Sequence, residues 1–387
     1  MAEIDAELRL GTRGSQLALW QAHAVAARLR EASGRPCRIV VIKTSGDRVH
    51  EAPLSEVGGK RLFVKEIEDA LLREEIDLAV HSSKDMPATL PGGLIVGAVL
   101  PREDPLDAIV LPHKIPPHKI RLKPDTTYEA AGTTYETPGT TYETTRTMYE
   151  RPPYVASGFS RTVDSRTVDS RTVDSDSMSV DDLVAALGES PSVGTSSVRR
   201  IAQLTRLFPR ARFTSIRGNL DTRLRKLDGG EYDAIVLAAA GLRRLGMASR
   251  ISARVPSSAC VPAPGQGIVA IEIRRSDARV SAAVRLIDDR ESHAALDAER
   301  AVVEALGGGC QTPIGALASR RAADELELVA IVVSLDGRRA ISGLGHGKPA
   351  DARALGASVG AQLLADGAGD ILAEADRSRG AVEGIQP

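Results

Sequence analysis

Residues 8–34 read LRLGTRGSQLALWQAHAVAARLREASG, and this stretch decides the fold class. A short apolar strand over 8–12 is followed by Ser15, which can cap a helix predicted over 17–32, and Gly34 can end that helix. The same order of strand, polar turn and helix recurs along much of the chain. Such alternation predicts an α/β protein with largely parallel sheets.

Working outward, the apolar periodicity predicts the remaining elements. Further strands are expected over 37–43, 78–80, 93–100, 108–111, 212–216 and 234–238, and further helices over 62–73, 193–208 and 219–227. The C-terminal part differs, because helices over 277–289 and 292–306 precede a hairpin of 326–335 and 339–343 and a helix over 350–364. A tight turn at 336–337 joins the hairpin strands, so we expect a small α+β domain there.

Composition and charge exclude several classes of protein. A chain of 387 residues is too long for one core and predicts two or three domains. The net charge of −1 lacks the basic field of a nucleic-acid binder. No apolar run approaches the roughly 20 residues that span a bilayer, and the acidic start at 1–5 shows no secretory signal. Because Cys37, Cys260 and Cys310 cannot form a disulfide framework, we expect a cytoplasmic protein that binds no membrane.

Residues 112–178 interrupt this pattern. The motif TTYE recurs every seven residues, at Tyr128, Tyr135 and Tyr142, and SRTVD is repeated three times over 160–174. Neither repeat carries an apolar face with a helix or strand period. We therefore predict a low-complexity, mostly disordered insertion. A fold tolerates such a segment because each doubling of loop length costs only ~0.6 kcal/mol.

Hydroxyl and cationic side chains follow the predicted strands, at the edge where open α/β sheets bind ligands. They are Arg13 and Ser15; Ser45 and Asp47; Ser82, Lys84 and Asp85; Thr195, Ser196, Ser197, Arg199 and Arg200; Arg217 and Arg223; and Arg243 and Arg244. Their shared placement predicts a polyanionic ligand between two domains. Neither a Walker loop nor a dinucleotide glycine fingerprint is present, and a ligand with several carboxylates suits bidentate arginines as well as a phosphate does.

Each of these residues also has a structural alternative. The pair Arg199 and Arg200 could be a solvated helix face, and a serine after a strand is often only an N-cap. Asp85 could stabilise a cation or move protons, or it could simply bond its own turn. Cys310 follows three glycines, which suggests an accessible thiol, whereas no Cys and His spacing matches a metal site. The stretch 262–267 is interpreted as a rigid hinge between domains.

Five motifs in order along the chain strongly resemble the porphobilinogen deaminase family. They are GTRGSQLALWQ at 11–21, HSSKDMP at 81–87, GTSSVRR at 194–200, IRGNLDTR at 216–223 and GGCQTPIG at 308–315. The resemblance covers nearly the whole chain outside 112–178. It implies two domains similar to type II periplasmic binding proteins and a small α+β C-terminal domain, with the repeat insertion inside domain 2.

The implied domain boundaries follow from where the motifs lie. Domain 1 would comprise 1–104 with 266–288, and domain 2 would comprise 105–111 with 179–261. The insertion would be 112–178. Domain 3, which would carry the cofactor, would comprise 289–387.

The resemblance implies a transferase of tetrapyrrole biosynthesis that condenses four porphobilinogen molecules head to tail, releases ammonia and yields hydroxymethylbilane. It also implies a monomer with a dipyrromethane cofactor joined by a thioether to Cys310. Asp85 would be the catalytic carboxylate that stabilises the azafulvene-like cation formed when ammonia leaves. Besides Cys310, the cofactor would contact Ser82, Lys84, Thr195, Ser196, Ser197, Arg199, Arg200, Arg217 and Arg223. The substrate would contact Arg13, Ser15, Gln21, Arg217, Arg223 and Arg244.

Two rival interpretations stay open. A non-catalytic two-lobed binding protein for a polycarboxylate would share the architecture, but it leaves Cys310 and the third domain without a role. An enzyme impaired by its insertion at 112–178 would retain every motif.

Overall fold

The computed structural model describes residues 7–44, 64–113, 179–188, 190–309 and 312–383. The predictions for Ser45, Asp47 and Cys310, and for residues 114–178 of the insertion, lie outside these described residues. The elements below are numbered in chain order within the described ranges.

Strands and helices alternate through most of the chain, as expected. The strands are β1 (Leu8–Thr12), β2 (Cys37–Val41), β3 (Leu78–Ser82), β4 (Leu94–Val99), β5 (Asp107–Val110), β6 (Ser192–Gly194), β7 (Arg212–Thr214), β8 (Ala234–Ala238), β9 (Ala253–Val255), β10 (Val269–Arg274), β11 (Ile314–Ala322), β12 (Glu325–Val333) and β13 (Ala340–Gly347). The helices are α1 (Gln16–Ser33), α2 (Lys65–Leu72), α3 (Val180–Leu187), α4 (Val198–Leu204), α5 (Leu220–Asp228), α6 (Ala239–Arg244), α7 (Ala278–Val284), α8 (Arg290–Ala305), α9 (Ala352–Ala365) and α10 (Ala368–Glu383). Short 3₁₀ turns cover Ser83–Asp85, Ala248–Arg250, Arg285–Ile287 and Pro349–Asp351.

Two five-stranded sheets have the same topology. The first has the order β2-β1-β3-β10-β4 and the second the order β7-β6-β8-β5-β9. In each sheet the first three strands are parallel, and the fourth runs antiparallel to both of its neighbours. This shared order confirms the expected pair of α/β halves.

The sheets are largely parallel, as predicted, but each contains one antiparallel strand. Strand β5 enters the second sheet directly after the chain leaves β4, and β10 returns to the first sheet after β9. A helical crossover within one sheet forces strands to be parallel, but these two strands arrive from the other sheet. Their direction is therefore set by where the chain crosses and not by a βαβ unit.

Local signals set several boundaries as predicted. The Ser15 hydroxyl accepts a hydrogen bond from the Ala18 amide, and Gly34 ends α1 with a left-handed φ of 71°. Asn219 caps α5 in the same way, through the amide of Thr222. Helix and strand therefore begin where short polar side chains satisfy free backbone groups.

Other boundaries differ from the predictions. Strand β3 continues two residues further than expected, through His81 and Ser82, because both pair with β10. The element expected as one helix over 193–208 is strand β6 followed by the shorter α4. Strands β9, β10 and β11 have too little alternation of apolar and polar residues to be predicted, and pairing with neighbouring strands is what orders them.

The C-terminal part is the expected small α+β unit. Its antiparallel sheet has the order β11-β12-β13 and packs on α8, α9 and α10 around one apolar core. Helices α8 and α9 approach so closely that a Cβ on Gly356 would lie 2.1 Å from the carbonyl oxygen of Ala298. Within the described ranges no helix is both long and apolar enough to cross a membrane.

Candidate active site

The first sheet presents its catalytic candidates directly after β3. Ser82 is the last residue of the strand, and its hydroxyl accepts a hydrogen bond from Gln21 Nε2 at 2.8 Å. The following 3₁₀ turn carries Lys84 and Asp85, of which Asp85 is exposed. The turn therefore offers a carboxylate to solvent while Ser82 is held against α1.

Lys84 is held in an unusual electrostatic environment. Its Nζ donates to Gln266 Oε1 at 3.5 Å. Burial of the ammonium lowers the pKa of Lys84 to about 8; the carboxylates of Asp85 and Asp107 oppose this shift, and the nearby guanidinium groups add to it. Lys84 thus loses its charge only slightly above neutral pH.

The hydroxyl groups after β6 in the second sheet hold the backbone of their own loop. The Ser197 hydroxyl caps α4 by accepting from the Arg200 amide at 3.4 Å, and that of Ser196 donates to the Ile216 carbonyl at 2.8 Å. Thr195 is buried, and its Oγ1 accepts from the Ser197 amide at 3.3 Å. Ser15 and Ser197 therefore both act as N-caps, whatever else they contact.

Arg199 and Arg200 do not form a solvated face, so that alternative is wrong. Their exposed fractions are only 4% and 6%, and both guanidinium groups point to the carboxylate of Asp107. Arg199 donates to it through Nη1 at 2.7 Å and Nη2 at 3.1 Å. Arg200 donates through Nε at 2.9 Å and Nη2 at 2.8 Å, and its Nη1 bonds the carbonyl of Val236. Two arginines thus share one fully buried carboxylate.

Asp107 stays ionised because of these partners. Burial alone would raise the pKa of its carboxyl, but the charges of Arg199 and Arg200 outweigh burial and hold that pKa well below its usual range. The neighbouring thiol of Cys260 lies 3.4 Å from Asp107 Oδ2, and burial raises its pKa to about 12. Cys260 is therefore a neutral, inert neighbour of the charged cluster.

Gln266 links this cluster to Lys84. Its Nε2 donates to Asp107 Oδ1 at 2.9 Å and to the Pro105 carbonyl at 2.7 Å, while its Oε1 faces Lys84. It lies between two glycines with left-handed φ values of 73° and 87°, in the predicted hinge 262–267. A Cβ on Gly267 would lie 2.2 Å from the Glu103 carbonyl oxygen, so only glycine lets the two crossing segments approach this closely.

A cavity lies beside these groups. Its lining residues come from four parts of the chain: the turn after β3, the start of α4, the hinge, and the segment from α8 to β11. They are Ser83, Lys84, Met86, Ala88, Ser197, Arg199, Ala263, Pro264, Arg300, Val303, Gly309, Thr312 and Ile314. The Nε of Arg199 and the hydroxyl of Ser83 are buried and have no hydrogen-bond partner among the described residues. The cations Lys84, Arg199 and Arg300 thus line this space together with Gly309, the residue before Cys310.

The remaining predicted arginines differ in how deeply they are buried. Burial lowers the pKa of Arg223 to about 10, Arg200 and Arg217 push it the same way, and Asp85 opposes them. Arg223 therefore lies within electrostatic reach of Asp85. Arg13 and Arg217 are half-buried.

Arg244 contacts the hinge segment and helix α1. It donates to the Gly267 carbonyl at 2.6 Å, and its guanidinium carbon lies 5.7 Å from the centre of the Trp20 ring. Arg243, which follows the same strand, pairs with Asp104.

The structure therefore brings Lys84, Asp85, Arg199, Arg200 and Arg223 into one electrostatic group. Three further contributors, Asp107, Gln266 and Arg300, were not among the predicted site residues. Asp107 had one weak signal, a lone acid at the start of an apolar run. Among the residues that the structure describes, no cluster of three His, Cys, Asp or Glu side chains could hold a metal ion.

Comparison with known proteins matches both parts of the chain. The family model "Porphobilinogen deaminase, dipyromethane cofactor binding domain" matches residues 8–128 and 160–282, and the model of the C-terminal domain of the same family matches 294–365. Residues 129–159, which the first match skips, lie within the repeat-bearing insertion.

Individual relatives cover almost the whole chain. A porphobilinogen deaminase of Moorella thermoacetica is 38% identical over 98% of this chain and 99% of its own length. One of Synechococcus elongatus is 36% identical over 95% of each chain. Among solved structures, the periplasmic VFT2 domain of Bordetella pertussis BvgS is similar at a TM-score of 0.34 and 14% identity, over 73% of this chain and 86% of that one. Because the family models and these relatives match almost its whole length, the chain belongs to the porphobilinogen deaminase family.

Proposed function

We propose that the group around Asp85 is the site at which this chain condenses four porphobilinogen molecules head to tail, with loss of ammonia, to give hydroxymethylbilane. One arrangement carries the proposal: Asp85 is exposed on the turn that also carries Lys84, and Gln266 joins Lys84 to Asp107 with its buried partners Arg199 and Arg200. The reaction needs both signs of charge, because the substrate is a polycarboxylate that becomes a cation as ammonia leaves.

The cations would hold the carboxylates. Each pyrrole unit carries an acetate and a propionate, so every condensation adds two negative charges to the growing chain. Guanidinium groups bind carboxylates with two parallel hydrogen bonds, and they do so most strongly where water is excluded. We assign this role to Arg13, Lys84, Arg199, Arg200, Arg217, Arg223 and Arg244, with hydroxyl or amide contacts from Ser15, Gln21, Ser82, Thr195, Ser196 and Ser197.

Asp85 would act on the reacting ring. A carboxylate fixed beside a pyrrole stabilises the positive charge that develops as ammonia departs, and it can accept the proton lost when the new bond forms. The 3₁₀ turn at the end of β3 keeps Asp85 next to Lys84. Lys84 would balance its charge between turnovers and bind the incoming carboxylate.

The cavity residues fit the dipyrromethane cofactor of the family. Its carboxylates need buried cations and donors, and the cavity offers Lys84, Arg199 and Arg300, of which the Arg199 Nε has no hydrogen-bond partner among the described residues. When bound, dipyrromethane supplies the pyrrole carbon to which the first substrate unit is joined. We propose the thiol of Cys310 as its attachment point, because Gly309 lines the cavity and Cys310 follows it in the chain.

We also propose three domains, with the boundaries 1–104 plus 266–288, 105–111 plus 179–261, and 289–387. The division is supported by the three sheets, since each lies within one of these sets of residues. The proposed enzyme is a cytoplasmic monomer that acts on a small molecule and engages neither nucleic acid nor membrane. Size-exclusion chromatography with light scattering tests the monomer, and a second species of twice the mass would contradict it.

The test of the function is the intact mass of the purified, denatured protein, compared with Cys310→Ser and with Cys37→Ser as a matched thiol control. We expect an adduct of two deaminated porphobilinogen units in the wild type and in Cys37→Ser, and a bare polypeptide in Cys310→Ser. A bare wild-type chain that is folded would favour a binding protein or an impaired enzyme. An adduct that persists in Cys310→Ser would move the attachment elsewhere.

A further inference from the structure

Asp107 lies buried at the centre of the charged group and has no role in the reaction proposed above. Its carboxylate is fully buried and accepts hydrogen bonds from Arg199, Arg200 and Gln266, while the Cys260 thiol lies against one oxygen. Arg199 is held by both Nη atoms, and its Nη1 also donates to the Val261 carbonyl at 2.8 Å. These contacts leave the guanidinium groups of Arg199 and Arg200 little freedom to rotate.

The charges around Asp107 do not balance. One carboxylate faces two guanidinium groups, and Lys84 is close enough for its pKa to respond to all three. A buried ion pair that serves stability alone is expected to be neutral, because an uncompensated buried charge is strongly destabilising. The excess positive charge instead suits a site that is completed by an anionic ligand.

The arrangement also has a direction. Arg199 lines the cavity. Its two Nη atoms bond Asp107, whereas its Nε has no hydrogen-bond partner within the part of the chain that the structure describes. Gln266 joins the opposite side of Asp107 to Lys84. The second sheet's arginines and the first sheet's lysine are thus connected through one carboxylate and one amide.

We propose that Asp107 is a positioning residue, whose carboxylate orients Arg199 and Arg200 for the carboxylates of the ligand and, through Gln266, ties them to Lys84. The inference rests on the proposed function, because it assigns those arginines to ligand carboxylates. It does not make Asp107 catalytic, since the Asp107 carboxylate is fully buried and bonded to Arg199, Arg200 and Gln266.

Asp77 provides a matched control. It is also a buried carboxylate with several arginines, Arg9, Arg274 and Arg279, at 2.9, 3.8 and 3.5 Å. It precedes β3, whereas Lys84 and Asp85 follow that strand, so Asp77 lies at the opposite edge of the first sheet. Loss of an arginine-bound carboxylate there should affect folding but not the site.

The test compares Asp107→Asn, Asp107→Glu and Asp77→Asn with the wild type. Circular dichroism and melting temperature establish folding, intact mass gives the fraction carrying the adduct, and steady-state rates give kcat and KM for porphobilinogen. We expect Asp107→Glu to fold, because it keeps the charge, and to raise KM about tenfold or more, because its longer side chain displaces both forks. Asp77→Asn should lower the melting temperature and leave kcat and KM unchanged.

A second readout does not depend on turnover. Acetylation of Lys84 by acetic anhydride, followed by peptide mass spectrometry across a pH series, reports where the amine loses its proton. The charged groups facing Lys84 are Asp85, Asp107, Arg199 and Arg200. Removing the Asp107 charge should move the acetylation midpoint to lower pH in Asp107→Asn, while Asp77→Asn leaves it in place.

The outcomes separate the two proposals. A wild type without adduct or turnover contradicts the proposed function, whereas the Lys84 midpoint still tests the Asp107 connection. If the wild type is active and Asp107→Glu has the same KM and the same fraction of adduct, the positioning role is overturned. Equal changes of KM in Asp77→Asn would also overturn it, because they would show a general loss of stability. If Asp107→Asn does not fold, Asp107→Glu decides the question.

Discussion

The two five-stranded sheets share one strand order, yet their carboxyl ends carry opposite kinds of chemistry. The first presents an exposed carboxylate, Asp85, on a short turn after β3. The second presents Arg199 and Arg200, which are buried and bonded to Asp107. The comparison teaches that one scaffold can separate a reactive group, which must meet substrate, from binding groups, which gain strength from burial and fixed geometry.

Asp85→Asn should have the largest effect. If the exposed carboxylate of the first sheet stabilises the developing cation, turnover should fall by about 10³-fold or more while the melting temperature stays near that of the wild type. Steady-state rates and thermal melts measure both. Near-normal turnover would remove Asp85 from its proposed role. Asp77→Asn, at the other end of β3, serves as the control that keeps its rate.

Arg200→Lys should have the next largest effect. The lysine replaces a fork bonded through three nitrogens by a single ammonium group, so kcat/KM should fall by about 10²-fold. Arg217→Lys is the matched control on the same sheet, where no bond to a described residue is lost, and its effect should be smaller. Equal effects of the two substitutions would contradict the importance of the fixed geometry.

Asp77→Asn should change stability without changing the reaction. Burial alone would raise the pKa of Asp77, but hydrogen bonds from Arg9 outweigh it and lower that pKa. Loss of these charged hydrogen bonds should reduce the free energy of unfolding by about 2 kcal/mol at neutral pH, as urea denaturation would measure. Because the folded-state pKa is lowered, this contribution is present above the unfolded pKa and is lost as the pH falls through the folded value. An unchanged unfolding curve would contradict it.

The smallest expected effect is a pH dependence of substrate affinity. Lys84 is charged below its pKa of about 8 and neutral above it. As the ammonium group loses its proton, KM for porphobilinogen should rise by roughly a few-fold between about pH 7.5 and 9. In Lys84→Arg the cation does not titrate in this range, and the rise should disappear. A rise that persists in Lys84→Arg would assign the effect to another group.

Local residues were sufficient to predict much of the fold. The cap Ser15 and the terminating Gly34 place α1 to within a residue, and the apolar run of β8 was predicted with the observed bounds. These signals act within a few residues, because a cap satisfies the backbone of its own turn and a buried strand is apolar along its length. The antiparallel strands β5 and β10 could not be oriented in this way, since their partners come from distant parts of the chain.

The candidate site divides along the same line. The motifs around Asp85 and around Arg199 and Arg200 placed these side chains just after strands, where the carboxyl ends of parallel strands form the ligand-binding edge of a sheet. By itself the sequence determined the α/β class, the family and the polar groups at the strand ends, since each is written in short stretches. Only the tertiary structure decided that Asp107 is shared by Arg199, 92 residues away, and Gln266, 159 residues away. The reason is that a buried charge must find its partners in space, and no spacing along the chain encodes that requirement.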